Sequence, residues 1–184
     1  MQTLETTKPE GLRTPIERPM TVCFVCTGNT CRSPMAAALL NDKTRIPPVC
    51  SMGDIEKLLN TKKIRATSAG LFATGAPIAE KAIEALERAG VRSLPDNPYR
   101  EHVSRTLDIE TVEACDLIIG MTGTHVMHLM AAFPAYASKI YGMPEDIPDP
   151  YGGDGTTYDA CLAAIAQGLD EMFLSEDTHE HGDS

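Results

Sequence analysis

A cysteine, an arginine and a serine stand close together near the start of the chain, within the sequence VCFVCTGNTCRSPM from Val22 to Met35. Arg32 follows Cys26 after five intervening residues, and Ser33 comes next. A cysteine thiolate is a nucleophile, and the planar guanidinium of an arginine can hold two oxygens of a tetrahedral dianion. A serine hydroxyl can donate a further hydrogen bond into the same space. The spacing therefore predicts that Cys26 attacks an anionic centre, such as a phosphate, that Arg32 holds in place.

The segment around Cys26 predicts a strand, a tight loop and a helix in succession. Residues 21–25 form a short apolar run with β-branched and aromatic side chains, as is typical of a buried strand, and a Gly-Asn turn signal follows. Ser33 stands at a typical helix N-cap position and Pro34 at the first helical position, so we predict a helix over residues 34–42. The N–H groups of such a loop and helix start favour a bound anion and the thiolate form of Cys26.

A cysteine and an arginine often occur at this spacing by chance, so the pair alone is weak evidence for an anion-binding site. The predicted elements around it make that evidence stronger. The alternative for Cys26 is a buried cysteine at the end of a strand. The alternative for Arg32 is a surface ion pair. The strand, the turn and the helix start together favour the chemical interpretation.

Bulk composition restricts the class of protein. The chain has 184 residues, 42% of them hydrophobic, which predicts one domain with a sizeable core. A net charge of -10 argues against general binding to nucleic acids or to anionic membranes. The six cysteines have neither the spacing of a disulfide framework nor that of a zinc site, and no apolar run approaches membrane-spanning length. We therefore predict a protein of the reducing cytoplasm.

Strand patterns alternate with helix patterns along the chain, which predicts an α/β fold: a single domain with a four-stranded parallel sheet and helices on both faces. The predicted elements after the first helix are a short helix at 54–60, a strand at 64–68 turned by Ala69-Gly70, helices at 77–89 and 107–114, a strand at 116–121, a helix from the Thr122 cap to about residue 133, a strand at 138–141 and a helix at 158–174. We predict a domain over residues 20–174 between a flexible tail at 1–19 and an acidic tail at 175–184. The carboxyl ends of the strands, and with them Cys26, Ser68 and Met121, should meet at one edge.

The loop sequence CTGNTCRSPM at Cys26–Met35 resembles the phosphate-binding loop of the low-molecular-weight protein-tyrosine phosphatase family, and within it the protein-arginine-phosphatase branch. Four further matches follow in the family's order: SAG at Ser68–Gly70, HVSR at His102–Arg105, MTGTH at Met121–His125 and DPYGG at Asp149–Gly153. In other cysteine phosphatases the loop that bears the acid precedes the Cys-Arg loop, whereas here the cysteine comes first. The resemblance covers about residues 20–174 and implies the fold of that family.

The resemblance implies a cysteine phosphatase that works through a phospho-cysteine at Cys26 and needs neither a metal nor a cofactor. Arg32 would stabilise the transferred phosphoryl group. Asp149 would protonate the leaving group and then accept a proton from water. The sequence Pro-Asp-Pro around Asp149 is equally typical of a rigid turn, and only the family favours catalysis there. The implied phosphate-binding residues are Thr27, Gly28, Asn29, Thr30, Cys31 and Ser33.

Other positions are implied to support the loop rather than to react. Ser68 and His102, together with Asn29, would hold the phosphate loop in its shape through hydrogen bonds. For His102 this is the same expectation as an ordinary structural histidine. His125 and His128 lie three positions apart on a predicted helix, but no third ligand is evident, so we interpret them as non-metal histidines.

The substrate prediction depends on Thr30, where the tyrosine-phosphatase branch usually carries an aliphatic residue. A hydroxyl at this rim position can meet a polar guanidinium or orient the attacking water, whereas a methyl group favours an aromatic ring. Tyr151 is implied as one wall of the pocket, with an ordinary exposed loop tyrosine as the alternative. Gly152 follows where tyrosine-specific members often have a second tyrosine. We therefore predict protein phosphoarginine as the substrate, inorganic phosphate as the product, and phosphotyrosine as the alternative substrate.

Cys31 shares the loop with Cys26, and its thiol could trap an oxidised Cys26 as a disulfide before irreversible damage. The alternative is a small core cysteine. Two further functions are less favoured. An arsenate reductase of this fold would need additional cysteines close together on a mobile loop, and Cys115 and Cys161 are far apart in sequence. A non-catalytic phospho-ligand module would have lost Cys26 or Asp149, and both are present.

Overall fold

Four short strands form one sheet, and Cys26 lies at the carboxyl end of a central strand. The computed structural model describes residues 18–45 and 63–174. The strands are β1 Met20–Cys26, β2 Ile64–Gly70, β3 Leu117–Gly120 and β4 Ile140–Gly142. Their spatial order is β2-β1-β3-β4, and every neighbouring pair is parallel. The predicted four-stranded parallel sheet is confirmed.

Five α-helices connect and follow these strands in the described part of the chain. They are α1 Arg32–Lys43, α2 Glu80–Arg88, α3 Ile109–Ala114, α4 Gly123–Ala132 and α5 Gly155–Leu169. Two 3-10 segments, Tyr99–Glu101 and Pro134–Lys139, and a π-helical turn, Asp170–Leu174, complete the regular structure. The predicted helix at 54–60 and the acidic tail at 175–184 lie outside the described residues, as does the N-terminal tail up to residue 17.

Helices cover both faces of the sheet, as predicted. Successive side chains of a strand point to opposite faces. Val22 and Phe24 of β1 pack with buried residues of α1, α2 and α5, whereas Cys23 and Val25 pack with buried residues of α3 and α4. The apolar run before Cys26 is therefore buried on both sides, as is typical of a central parallel strand.

One predicted cap is present, and another is wrong. Thr122 precedes α4 and accepts a hydrogen bond from the His125 N–H, as predicted, and Asp108 caps α3 in the same way by accepting from the Thr111 N–H. Ser33 does not cap α1, because the helix already begins at Arg32 and its N-cap residue is Cys31, whose side chain makes no capping bond. The Ser33 hydroxyl instead lies 2.9 Å from the Cys26 sulfur, so its position within the first helical turn serves the loop.

The Ala69-Gly70 pair was predicted to turn the chain after the second strand, and this is wrong. Both residues continue β2, where Gly70 pairs with Cys26 in the parallel ladder. The strand extends because its apolar partner β1 runs to Cys26, so the ladder can continue to that point. This extension carries the end of β2 alongside the loop that follows β1.

The end of the chain also departs from the sequence prediction. The last helix begins at Gly155 rather than at residue 158, because Asp154 caps it by accepting a hydrogen bond from the Thr157 N–H at 2.9 Å. The α-helix ends at Leu169, and the remaining predicted helical residues form the π-helical turn. The last strand begins at Ile140 rather than at residue 138, because a 3-10 segment occupies the preceding residues.

Candidate active site

The loop between β1 and α1 surrounds the sulfur of Cys26 with hydrogen-bonding groups. The Asn29 N–H donates to the sulfur at 3.3 Å, and the Ser33 hydroxyl lies 2.9 Å from it. The Ala69 carbonyl is a second acceptor for the same hydroxyl, at 3.3 Å. Either the Ser33 hydroxyl or the Cys26 thiol can be the donor in their contact, whereas a deprotonated sulfur can only accept.

Asn29 gives the loop its shape through an unusual backbone conformation. Its φ of 57° lies in the left-handed region, which asparagine adopts more readily than most residues, and the residue is fully buried. Its side-chain N–H groups donate to Ser33 at 3.0 Å and to Ser68 at 2.9 Å, and its side-chain oxygen accepts from the Arg105 N–H at 3.0 Å. Its carbonyl lies 2.9 Å from Nε2 of His102. Together with the contact from its own N–H to the Cys26 sulfur, five hydrogen bonds hold Asn29 in this conformation, as its strain requires.

The His102 ring has a defined tautomer in this arrangement. A carbonyl oxygen only accepts, so Nε2 carries the proton that is donated to Asn29. Burial lowers the pKa of His102, partly offset by this hydrogen bond, so the neutral ring is favoured at neutral pH. Ser68 and His102 thus lie where the resemblance implies loop support, and the Arg105 backbone adds a contact that the sequence reasoning did not identify.

Arg32 lies beside the loop, and its guanidinium contacts Asp149. One terminal nitrogen donates to the Asp149 carboxylate at 2.7 Å, and the other donates to the Ile147 carbonyl at 3.2 Å. The Arg32 side chain is 7% exposed, whereas that of Asp149 is 51% exposed. The two residues are 117 positions apart in sequence. The fold therefore places a buried cation and a half-exposed carboxylate together, one residue along α1 from Ser33.

The loop that carries Asp149 is a rigid turn as well as an acid-bearing segment. The second carboxylate oxygen of Asp149 accepts from the Tyr151 N–H at 3.2 Å, and the Gly153 N–H donates to the Pro150 carbonyl at 2.9 Å. Behind the loop, the Cys161 thiol contacts the Pro148 carbonyl at 3.7 Å. The segment can therefore be a rigid turn and still present Asp149 as an acid. The Tyr151 side chain is 81% exposed, so it is available to a ligand.

Thr30 contacts the residue before α2, and Cys31 contacts α5. The Thr30 carbonyl accepts from the Ala79 N–H at 2.9 Å, and its hydroxyl lies 3.6 Å from the Cys31 sulfur. Cys31 is buried and lies 3.4 Å from the Tyr158 hydroxyl. Burial raises the pKa of Tyr158, so its hydroxyl stays protonated. The sequence reasoning missed Tyr158, which had no local signal beyond its place on a helix.

His125 lies on the opposite side of the loop, at the start of α4. Nε2 of His125 lies 3.0 Å from the Thr27 hydroxyl, and Nδ1 lies 2.8 Å from the Thr122 hydroxyl. His128 contacts the Thr124 carbonyl of its own helix at 2.8 Å. Across residues 18–45 and 63–174, no group of three or more His, Cys, Asp or Glu side chains is placed to hold a metal ion.

Phe72 is a second residue that the sequence reasoning missed. Its N–H donates to the Thr27 carbonyl at 2.9 Å, directly beyond β2, and its side chain is 68% exposed. An exposed aromatic ring therefore lies next to the loop, in addition to that of Tyr151. None of the helices in the described part of the chain combines the length and the apolar character needed to cross a membrane.

Sequence comparisons relate the chain to known phosphatases. The family model described as low molecular weight phosphotyrosine protein phosphatase matches residues 21–181. A protein-arginine-phosphatase of Bacillus subtilis is 34% identical over 146 residues, which are 76% of this chain and 85% of the relative. A probable low molecular weight protein-tyrosine-phosphatase, EpsP, of Ralstonia nicotianae is 30% identical over 82% of this chain and 91% of its own length.

Comparison of the fold with solved structures gives a similar result. A crystal structure of a YwlE mutant from Bacillus subtilis superposes with a TM-score of 0.66 at 30% identity, covering 82% of this chain and 93% of that one. The residues that the family model matches include Cys26, Arg32 and Asp149. The chain is thus a protein phosphatase that belongs to the low molecular weight phosphotyrosine protein phosphatase family.

Proposed function

We propose that the protein hydrolyses phosphoarginine in proteins through a phospho-cysteine intermediate on Cys26. The observation that carries the proposal is the convergence of three groups at one loop. The Cys26 sulfur contacts the Asn29 N–H and the Ser33 hydroxyl, and Arg32, the residue before Ser33, contacts Asp149. A nucleophile, a cation and an acid are the groups that such a phosphoryl transfer needs, and the chemistry requires no metal.

The first step forms a sulfur–phosphorus bond and breaks the bond from phosphorus to the leaving group. The Cys26 thiolate attacks in line, while Arg32 and the loop N–H groups hold the equatorial oxygens. The leaving guanidine nitrogen takes the proton of the Asp149 carboxyl group. In the second step water attacks phosphorus, the sulfur leaves as a thiolate, and Asp149 accepts the proton of the water. Inorganic phosphate is the product.

The contact between Arg32 and Asp149 prepares the acid for this role. In the structure the Asp149 carboxylate is the ion-pair partner of the Arg32 guanidinium. An arriving phosphoryl dianion competes for the same guanidinium. Substrate binding therefore releases Asp149 from Arg32, and its carboxyl group can then serve the leaving group.

The preference for phosphoarginine is supported by Thr30 and by a relative. Thr30 is a half-buried residue of the loop, and its side chain carries a hydroxyl. A hydroxyl suits a guanidinium better than an aliphatic group does. A relative at 34% identity is named a protein-arginine-phosphatase. Asp149 would serve a guanidinium both as a carboxylate partner and as a proton donor.

Phosphotyrosine is the second candidate substrate, and Phe72 favours it. Together with Tyr151 it provides two exposed aromatic side chains around the loop, and aromatic rings stack on one another. A relative at 30% identity is named a probable tyrosine phosphatase.

The Thr30→Ile variant tests the substrate class. We expect the wild type to have the higher kcat/KM for a phosphoarginine peptide than for a phosphotyrosine peptide of the same sequence. In Thr30→Ile this ratio should fall by about tenfold or more, because the hydroxyl is lost and a methyl group is added. Thr156→Ile, the same change at an exposed position of α5, is the matched control. Unchanged selectivity in Thr30→Ile would remove Thr30 as the basis of the choice.

The Cys26→Ser variant tests the covalent intermediate. Turnover of both peptides should fall on the order of 10³-fold or more, because an alcohol at this position is a far weaker nucleophile. Binding of inorganic phosphate, measured by calorimetry, should persist because Arg32 and the loop N–H groups remain. Retained turnover in this variant would end the proposal of a phospho-cysteine.

A further inference from the structure

The proposed chemistry makes no use of His125, yet this histidine is built into the loop that carries the nucleophile. Its side chain is buried, with the residue only 5% exposed. Its two ring nitrogens lie 3.0 Å from the Thr27 hydroxyl and 2.8 Å from the Thr122 hydroxyl. Thr27 is the residue directly after Cys26, and it lies 98 positions from His125 in sequence. The ring therefore connects the nucleophile's neighbour to the start of α4.

The backbone around His125 is held tightly. The Thr122 hydroxyl also caps α4 by accepting from the His125 N–H at 3.3 Å. A Cβ atom on Gly120 would lie 2.9 Å from the Val126 nitrogen and 3.1 Å from the His125 Cβ, so α4 packs closely against the end of β3. That end is joined to β1, since the Met121 N–H donates to the Val25 carbonyl at 2.9 Å. His125 thus approaches Thr27 from a fixed position.

Thr27 is held from two sides. The Thr27 carbonyl accepts from the Phe72 N–H at 2.9 Å, and the Cys26 carbonyl accepts from the Leu71 N–H, also at 2.9 Å. These two bonds come from the segment after β2. The Thr27 hydroxyl is held by His125, which comes from the segment after β3. The peptide that follows the nucleophile is therefore fixed between the two strands that flank β1.

The His125 ring is favoured in its uncharged form. Burial, and next the positive charge of Arg32, lower the pKa of His125. Asp149, His128 and Asp146 are the other ionisable groups that act on it. A neutral imidazole has one N–H donor and one acceptor nitrogen, and each threonine hydroxyl can be donor or acceptor. Both contacts are therefore satisfied by an uncharged ring.

We propose that His125 is a positioning residue: by holding the Thr27 side chain, it orients the Cys26 sulfur for in-line attack on phosphorus. This inference rests on the proposed function, because it concerns the geometry of the same nucleophile. The Asn29 network, which shapes the anion-binding part of the loop, shares no hydrogen bond with His125. Loss of the His125 contact should therefore reduce the rate of the chemical step more than the affinity for phosphate.

Two conservative variants separate the ring's two contacts. His125→Gln can keep a donor near the position of Nε2 and so retain the contact with Thr27. His125→Asn is shorter, can retain the contact with Thr122 and cannot reach Thr27. With an aryl phosphate as substrate, we expect kcat to fall by about 10- to 100-fold in His125→Asn, since misplacement of a reacting group by about 1 Å can cost 10²-fold. KM and the inhibition constant of inorganic phosphate should change by less than about twofold, and His125→Gln should recover most of kcat.

Thr27→Val removes the same contact from the other side and keeps the test informative if His125→Asn does not fold. It should lower kcat to a similar extent, and adding His125→Asn to it should cause little further loss. Equal kcat in wild type, His125→Asn and His125→Gln would overturn the inference. So would a loss of kcat in both His125 variants that merely follows a loss of thermal stability. The proposed function is tested separately, since it fails if the wild type does not turn over the phosphoarginine peptide or if Cys26→Ser still does.

Discussion

At the scale of single residues, the site depends on one arginine with two acceptors. Arg32 is almost fully buried, and it donates to Asp149 and to the Ile147 carbonyl. A guanidinium has five N–H donors in a fixed plane, so it can keep a backbone contact while it binds phosphate oxygens. Lysine at this position could not reproduce that geometry. The proposed exchange of Asp149 for substrate would therefore depend on the arginine's shape as well as on its charge.

Asp149→Asn tests this exchange. For a phosphopeptide we expect kcat to fall by about 10²- to 10⁴-fold, because an amide cannot protonate the leaving group. An aryl phosphate whose leaving oxygen is weakly basic should lose less, since it needs less protonation. Steady-state kinetics on both substrates provide the measurement. Asp146→Asn is the control, because it makes the same change of charge nearby while its side-chain oxygen still accepts from the Gly123 N–H. Equal losses in the two variants would argue against an acid at Asp149.

At the scale of elements, the loop is shaped by the ends of the strands on either side of β1. Gly70 pairs with Cys26 across the ladder. A Cβ atom at Gly70 would lie 2.8 Å from the Thr27 carbonyl oxygen and 3.0 Å from the Asn29 Cβ. Both contacts are too short for unstrained packing, so the absence of a side chain at the end of β2 allows the phosphate loop to occupy its position.

Gly70→Ala should displace the loop. We expect a loss of about 1–3 kcal/mol in the free energy of unfolding, as is typical of overpacking, together with a lower kcat. Gly155→Ala is the matched control, because its added Cβ would meet only the Arg88 side chain at 3.5 Å, an ordinary contact. Denaturant unfolding and aryl-phosphate kinetics on both variants provide the measurement. A Gly70→Ala protein with wild-type stability and activity would contradict this account of the loop.

At the scale of the whole molecule, a strongly acidic protein has a loop surrounded by one arginine and two uncharged histidines. The net charge is -10, yet Arg32, His102 and His125 all lie around one loop. Burial lowers the pKa of both histidines. Their neutral forms act as hydrogen-bonding groups and add no positive charge to the site. In the proposed mechanism, recognition of a dianion therefore depends on Arg32 and the loop N–H groups.

Two histidines with lowered pKa values predict how stability depends on pH. In the unfolded chain each histidine titrates near its ordinary pKa of about 6.5, whereas in the folded protein it titrates below that value. Between the two values the unfolded state binds more protons, so the free energy of unfolding should fall as pH decreases from about 7 through about 6. Urea unfolding between pH 5 and pH 8 measures this slope. The double variant His102→Gln with His125→Gln should flatten it, and an unchanged slope would refute the assignment.

Features that depend on a few neighbouring residues were predictable from the sequence. The strand before Cys26, the cap at Thr122, and the alternation that implies a parallel sheet all arise from local hydrogen bonds or from the side-chain period of one element. Ser33 shows the limit of such reasoning. Its residue type suits an N-cap, but the tertiary contact with the Cys26 sulfur engages its hydroxyl instead.

The sequence by itself determined the chemical groups of the loop and the strand and helix that hold them, because these lie within a few residues of one another. Only the tertiary structure decided their partners: Arg32 with Asp149 across 117 positions, and Thr27 with His125 across 98. Such pairs form because parallel strands end at the same edge of the sheet and place the segments after them side by side. No local pattern specifies which side chains then meet, since that depends on strand order, on the register of β2 and on the packing of α4.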